Sequence, residues 1–143
     1  MSDKPSRSNK IVGLTASVGF QIGVRRTLPI SQEQAWAFLT SDTGLKLWIG
    51  TVQPLKFMVG ESFVSEEGIS GQFRVVKPYQ QLRLKWEKSE WKKPSTLQIR
   101  LLSNQPNKTT ISFHQENLDS AGTREELKEL WEDVLTAIQK DRE

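Results

Sequence analysis

Leu127-Lys128-Glu129-Leu130-Trp131-Glu132-Asp133-Val134-Leu135-Thr136-Ala137-Ile138 is the stretch that decides the fold. Its apolar residues Leu127, Leu130, Trp131, Val134, Leu135 and Ile138 fall at i, i+3, i+4, i+7, i+8 and i+11, one stripe about three turns long on a helix of 3.6 residues per turn. Thr123 with Glu126 three residues on reads as a capping box. Glu125 and Glu126 suit the positive start of a helix dipole, and Lys140 and Arg142 suit its end. The spacing predicts a helix from Arg124 to Asp141 with one face that must be buried.

Working back toward the N-terminus, the partner for that face is a series of short β segments. Six segments rich in β-branched and aromatic residues, 51–58, 62–67, 70–77, 81–88, 95–103 and 108–116, are separated by turn residues such as Glu67-Gly68, Lys77-Pro78-Tyr79-Gln80 and Asn104-Gln105-Pro106-Asn107. Leu82/Leu84/Trp86, Leu97/Ile99/Leu101 and Ile111/Phe113/Gln115 alternate with Arg83/Lys85/Glu87, Gln98/Arg100 and Ser112/His114/Glu116, so each strand has one buried and one wet face. Phe20, Ile22 and Val24 mark an earlier strand. Ser31 with Gln34 is a capping box for a short helix through Trp36, and a break at residues 41–44 precedes a further helical turn at 45–48. The expected fold is therefore α+β: a curved, seven-stranded antiparallel sheet wrapped around the long C-terminal helix, with two short helices after the first strand. Residues 1–18 carry no sustained period and read as a mobile N-terminal arm, leaving 19–143 as a single domain.

Composition excludes several chemistries. The 143 residues contain no Cys and one His, which removes thiolate zinc sites, iron–sulfur clusters, disulfides and any site needing two imidazoles. Without a signal sequence or a membrane-length apolar run, the chain reads as cytoplasmic. The net charge of +3 is concentrated in residues 1–19, which carry +2, so the rest is nearly neutral and no phosphate track for nucleic acid is expected. No glycine-rich phosphate loop or dinucleotide fingerprint occurs, so no cofactor and no metal are expected.

Catalytic groupings are equally sparse. His114 with Ser112 and Glu116 could form a row on the wet face, but such neighbours are ordinarily surface residues; Glu66-Glu67 sit at a turn, and the helix carboxylates lie off the apolar stripe. The sequence offers no catalytic residue. Binding is the stronger reading, because a curved sheet and a straight helix can leave a concave apolar space between them. Trp48, Phe63, Phe73, Trp86, Ile99, Phe113, Gln115, Leu127 and Trp131 occupy the inward positions and form the expected ligand cavity, with Gln115 as a polar handle. Side chains at these positions can also fill that space. Trp91, between lysines, marks an exposed contact, and Arg26 either shares the inner face with Ile22 and Val24 or is turned outward by a bulge at Arg25-Arg26.

The order of elements, with Pro29 before the first helix, Trp36 within it, Trp48, Val59-Gly60 ahead of Phe63, Gly71, Pro78 with Leu82 and Trp86, and Trp131 in the last helix, resembles the activator of Hsp90 ATPase homologue family. That family lies within the START/Bet v 1-like helix-grip superfamily (SRPBCC), and the resemblance runs from Phe20 to Lys140. Two positions depart from it: Ile49 stands where members often carry a second Trp, and Gln115 where a His is common. The resemblance implies a small-molecule binder or a chaperone-associated helper. The expected function is non-catalytic binding of a small apolar or amphipathic ligand by a monomer. The alternatives are a protein-interaction module resembling an Hsp90 ATPase activator, and a cavity enzyme of cyclase or hydratase type.

Overall fold

Ser31 starts the first helix as its sequence signature predicts. Its Oγ accepts from the Gln34 amide at 3.1 Å, while the Gln34 Oε1 accepts from the Ser31 amide at 2.9 Å, so two otherwise orphaned N–H groups are satisfied reciprocally. In the computed structural model, which describes residues 14–15 and 19–141, the elements run in the order β1 (Leu14–Thr15), β2 (Gly19–Leu28), α1 (Gln32–Thr40), α2 (Asp42–Trp48), β3 (Ser62–Val64), β4 (Ile69–Lys77), β5 (Gln81–Lys88), β6 (Ser95–Gln105), β7 (Lys108–Leu118) and α3 (Ala121–Asp141). The strands form one antiparallel sheet in the order β1-β2-β7-β6-β5-β4-β3. α3 packs on β2, β7 and α2. The arrangement is α+β and consistent with a helix-grip.

The break expected at residues 41–44 is the first turn of α2. Ser41 ends α1 and caps α2, its Oγ accepting from the Gly44 amide at 3.1 Å. A Cβ on Gly44 would lie 1.8 Å from the Phe38 carbonyl oxygen, so only glycine lets the two helices meet this closely.

Residues 51–58, expected as a strand, are a loop, and the sheet's remaining strand is Leu14–Thr15. The loop's amides are taken by carboxylates in place of a ladder. Glu67 accepts from the Thr51 amide at 2.7 Å and from its hydroxyl at 2.9 Å. Glu61 accepts from the amides of Lys56 and Phe57, the latter at 2.8 Å, and Phe57 sits at φ 56°. Pro54 has no amide to offer a ladder. Apart from Leu14–Thr15, which pair with Phe20 and Gly19, the stretch expected as a mobile arm lies outside the described residues.

The inner face of the sheet follows the predicted alternation. Leu82, Leu84 and Trp86 on β5, Leu97, Ile99 and Leu101 on β6, and Ile111, Phe113 and Gln115 on β7 are all buried. Near the end of β7, Asn117 at φ 68° and a register shift opposite Phe20–Ile22 change the parity, turning Leu118 inward. Of the predicted helix stripe, Leu127, Trp131, Val134, Leu135 and Ile138 are buried and Leu130 is half-buried against the core. Its cap differs. Ser120, three residues before Thr123, accepts from the Thr123 amide at 3.1 Å, and the Arg124 amide bonds the Ser120 carbonyl, so α3 begins one turn earlier than Thr123 would have set it.

Candidate functional site

All nine residues expected to line a cavity converge in the core between sheet and helix: Trp48 from α2, Phe63 from β3, Phe73 from β4, Trp86 from β5, Ile99 from β6, Phe113 and Gln115 from β7, and Leu127 and Trp131 from α3. None is more than 5% exposed. Gly71 makes room on the sheet for Phe63, since a Cβ there would stand 2.7 Å from its ring. Ring contacts sort the aromatic members into two groups. Phe73 touches Phe63 and Phe57, with centroids 5.6 and 5.5 Å away. Trp131 stacks on Phe113 at 4.9 Å, nearly parallel, and meets Trp86 edge-on at 5.6 Å.

The polar atoms of this core bond one another. Trp131 Nε1 donates to Gln115 Oε1 at 2.7 Å, Gln115 Nε2 to Ser95 Oγ at 2.8 Å, and Ser95 Oγ to the Trp86 carbonyl at 2.6 Å. Trp86 Nε1 then donates to the Trp48 carbonyl at 2.9 Å, and Trp48 Nε1 to the Leu39 carbonyl at 3.0 Å. This relay runs from α3 through three adjacent strands to both short helices, and satisfies three buried indoles within the protein. Gln115 faces inward as alternation requires, but its amide is engaged by Trp131 and Ser95. Ser95 is the member that sequence reasoning missed. Its signal was parity, for it stands two residues before Leu97 on the same face.

Beside Trp86, residues of the β5–β6 hairpin and of the start of α3 come together. There Trp91, Lys92, Lys93, Asn117, Leu118, Asp119 and Thr123 line a hollow of about 190 Å³. Trp91, expected as an exposed contact, is half-buried with its ring edge-on to Trp86 at 5.5 Å. Asn117 ties the hairpin down, accepting from Lys93 Nζ and donating to the Pro94 carbonyl, each at 3.2 Å.

The remaining candidates disperse. His114 is half-buried and bonds Gln21 at 3.0 Å; among the described residues no hydrogen bond joins it to Ser112 or Glu116. Arg26 keeps the alternation of β2 without the expected bulge, since the register with β7 is unbroken there. Its Nη1 donates to Thr136 Oγ1 on α3 at 2.9 Å and to Gln139 Oε1 at 3.3 Å, so helix hydroxyl and amide oxygens are its partners. The Thr51 amide and then its hydroxyl hold the Glu67 carboxyl below its ordinary pKa, with Lys46 adding a smaller effect in the same direction. A carboxylate kept ionised as a loop clamp is poorly suited to general-acid work. Among the described residues no group of three His, Asp or Glu side chains is placed to hold a metal ion, and no helix is long and apolar enough to cross a membrane.

Solved structures share this architecture. DynU16, a protein of the dynemicin biosynthetic locus, superposes with a TM-score of 0.72 at 16% identity over 84% of this chain, which spans 46% of DynU16. MLL2253 of Mesorhizobium loti matches with a TM-score of 0.72 at 19% identity over 85% of this chain and 97% of that one. PFC0360w, an HSP90 activator from Plasmodium falciparum, matches with a TM-score of 0.62 at 19% identity over 71% of this chain and 75% of its own. At these identities the likeness is one of fold. No curated protein matches the chain in sequence. A family model, however, covers residues 29–140, from the proline before α1 to the last turn of α3. The chain therefore belongs to the family described as Activator of Hsp90 ATPase homolog 1-like protein.

Proposed function

We propose that this protein binds a small apolar or amphipathic ligand without catalysis, at the Trp91 end of the space between sheet and C-terminal helix. The observation that carries the reading is the aromatic series Trp91, Trp86, Trp131, Phe113, which leads from the hollow into the core. A hollow of about 190 Å³ is smaller than the roughly 300–1,000 Å³ of ordinary ligand sites. A larger ligand gains that room by displacing Trp91 and taking its place against Trp86. Trp86, Trp131, Phe113, Gln115 and Leu127 then form the inner wall, with Trp48, Phe63, Phe73 and Ile99 behind them. Residues 19–143 act in this reading as one monomeric, cytoplasmic START/Bet v 1-like unit.

The test is tryptophan fluorescence titrated with 1-anilinonaphthalene-8-sulfonate and with medium-chain fatty acids, on the native protein and on Trp91→Ala. Saturable binding, strengthened several-fold when Trp91 is removed, supports the reading. A flat response in both proteins, with the fold intact by circular dichroism, overturns it.

A second reading, a protein-interaction module of co-chaperone type, is favoured by the exposure of Met58, Val59 and Val64, at 59%, 67% and 74%, in and beside the edge strand β3. Stimulation of a purified Hsp90 ATPase that is lost in Met58→Ser/Val64→Ser, with fluorescence titrations flat, would replace the first reading with this one.

A further inference from the structure

Arg25 and Arg26 are adjacent in sequence and opposite in circumstance. Arg26 is bonded to α3, whereas Arg25 points to the outer face of the sheet, where the β2–β7 and β7–β6 registers set Arg25 and Arg100 on either side of Ser112. Two strand spacings, about 10 Å, separate their backbones, within reach of two guanidinium groups closing on a single anion. Both are exposed, and both line a hollow of about 560 Å³ whose other lining residues include Gln81, Leu102, Asn104 and Thr110 and, from α1, Gln32. No acidic side chain lines it. Among the described residues, neither guanidinium has an ion pair or hydrogen bond. On β2, β6 and β7 the one acidic residue is Glu116, four positions along β7 from Ser112 and so about 13 Å away.

Two uncompensated guanidiniums raise the local potential and present paired N–H donors in a planar fork. A lone carboxylate has two oxygens and one charge, enough for one fork. A phosphate monoester carries close to two charges at neutral pH and three terminal oxygens, enough to answer both. The hollow's volume lies within the range of small-molecule sites, and Leu102 beside the polar groups gives the ester's organic part an apolar contact. We infer that this hollow on the outer face of the sheet binds the phosphate monoester group of a small molecule, held between Arg25 and Arg100. This site is separate from the aromatic core and does not rest on the ligand reading given for it.

The test is a ¹⁵N–¹H NMR titration of the full chain with phenyl phosphate, following backbone amides and the arginine Nε–Hε resonances, with phenol as the uncharged control. Saturable shifts are expected around Arg25, Arg100, Thr110 and Asn104, absent with phenol and suppressed by inorganic phosphate. Arg25→Ala and Arg100→Ala should each weaken binding at least tenfold, while Arg83→Ala, an exposed residue on β5 of the same face, should change it less than twofold. All three sites are exposed, so the variants keep the native spectrum. The inference is overturned if the shifts do not saturate, if Arg83→Ala weakens binding as much as the other two, or if Arg25→Ala and Arg100→Ala bind normally. It is also overturned if a phosphoserine peptide or phosphatidylserine vesicles bind through these arginines while phenyl phosphate does not.

Discussion

Strand β7 serves two surfaces, and they are built on opposite terms. Inward, Ile111, Phe113 and Gln115 stand in a core whose polar members are bonded to one another, from the Trp131 indole to the Leu39 carbonyl. Outward, Ser112 lies between two arginines that have no partner among the described residues. Burial explains the difference. An indole N–H or an amide removed from water must find a protein partner or cost about 1–3 kcal/mol, whereas an exposed guanidinium is satisfied by water and stays available. The inner face therefore gives stability first, and the ligand proposed for it would have to displace a side chain to enter. The outer face contributes little to folding and is free to recognise.

The largest expected break in this comparison is Trp131→Ala. It removes a stacked ring from Phe113, an edge contact from Trp86 and the donor to Gln115 Oε1, all in a site with no exposure. Loss of a large buried aromatic costs about 3–5 kcal/mol, to be read as a fall in the urea midpoint without a change in slope. A cost below about 1 kcal/mol would mean that the inner face is loosely packed and already open to ligands.

Gln115→Leu separates bonding from packing. The volume is nearly kept, but the Trp131 indole and one lone pair of the Ser95 hydroxyl lose their partner. The expected cost is about 1–3 kcal/mol in the same denaturation experiment. If ligand affinity is unchanged in the variant, Gln115 is a strut and not a polar handle.

How far the sequence disclosed these two faces depends on the kind of signal each carries. Alternation on β5, β6 and β7 and the stripe on α3 are periodic, and periodicity reports burial directly, so inner-face membership was legible down to Gln115. Residues 51–58 have strand-like composition and misled. What decides their conformation is two carboxylates, Glu61 and Glu67, that lie outside the segment and take its amides. The Ser120 cap was hidden by Thr123, which offers the same chemistry one turn later. Arg25 and Arg100 are 75 positions apart, and only the strand register places them around one residue. Trp91 read as exposed because its lysine neighbours are, although an edge contact with Trp86 holds it half-buried against the core.

Between the faces lies the rim, where Glu67 clamps Thr51. Its carboxyl is held below the ordinary value by the Thr51 amide and hydroxyl, so the clamp stabilises the folded chain fully above that ordinary value and is lost as pH falls through the lowered one. Acidification should lower the protection of the Thr51 amide, its exchange rate relative to that of an unstructured chain at the same pH, before it affects Phe113 or Trp131. In Glu67→Gln the Thr51 amide should exchange faster already at neutral pH and lose this acid step. Simultaneous loosening of rim and core on acidification would show that the loop is not an independent unit.

The smallest expected effect is also the sharpest for the comparison. Arg100→Ala removes an exposed side chain without a protein partner, so its stability cost should stay within about 0.5 kcal/mol, in contrast to Gln115→Leu one strand away. Removing one of two like charges from opposite sides of Ser112 should also relieve repulsion. Stability at low salt should then rise slightly relative to the native protein, and the gain should fade as ionic strength approaches 1 M and the screening length shrinks to about 3 Å. A loss above about 1 kcal/mol would mean that Arg100 already serves the fold. The outer face would then be spent in the same way as the inner one, and its arginines would no longer be free to hold an anion.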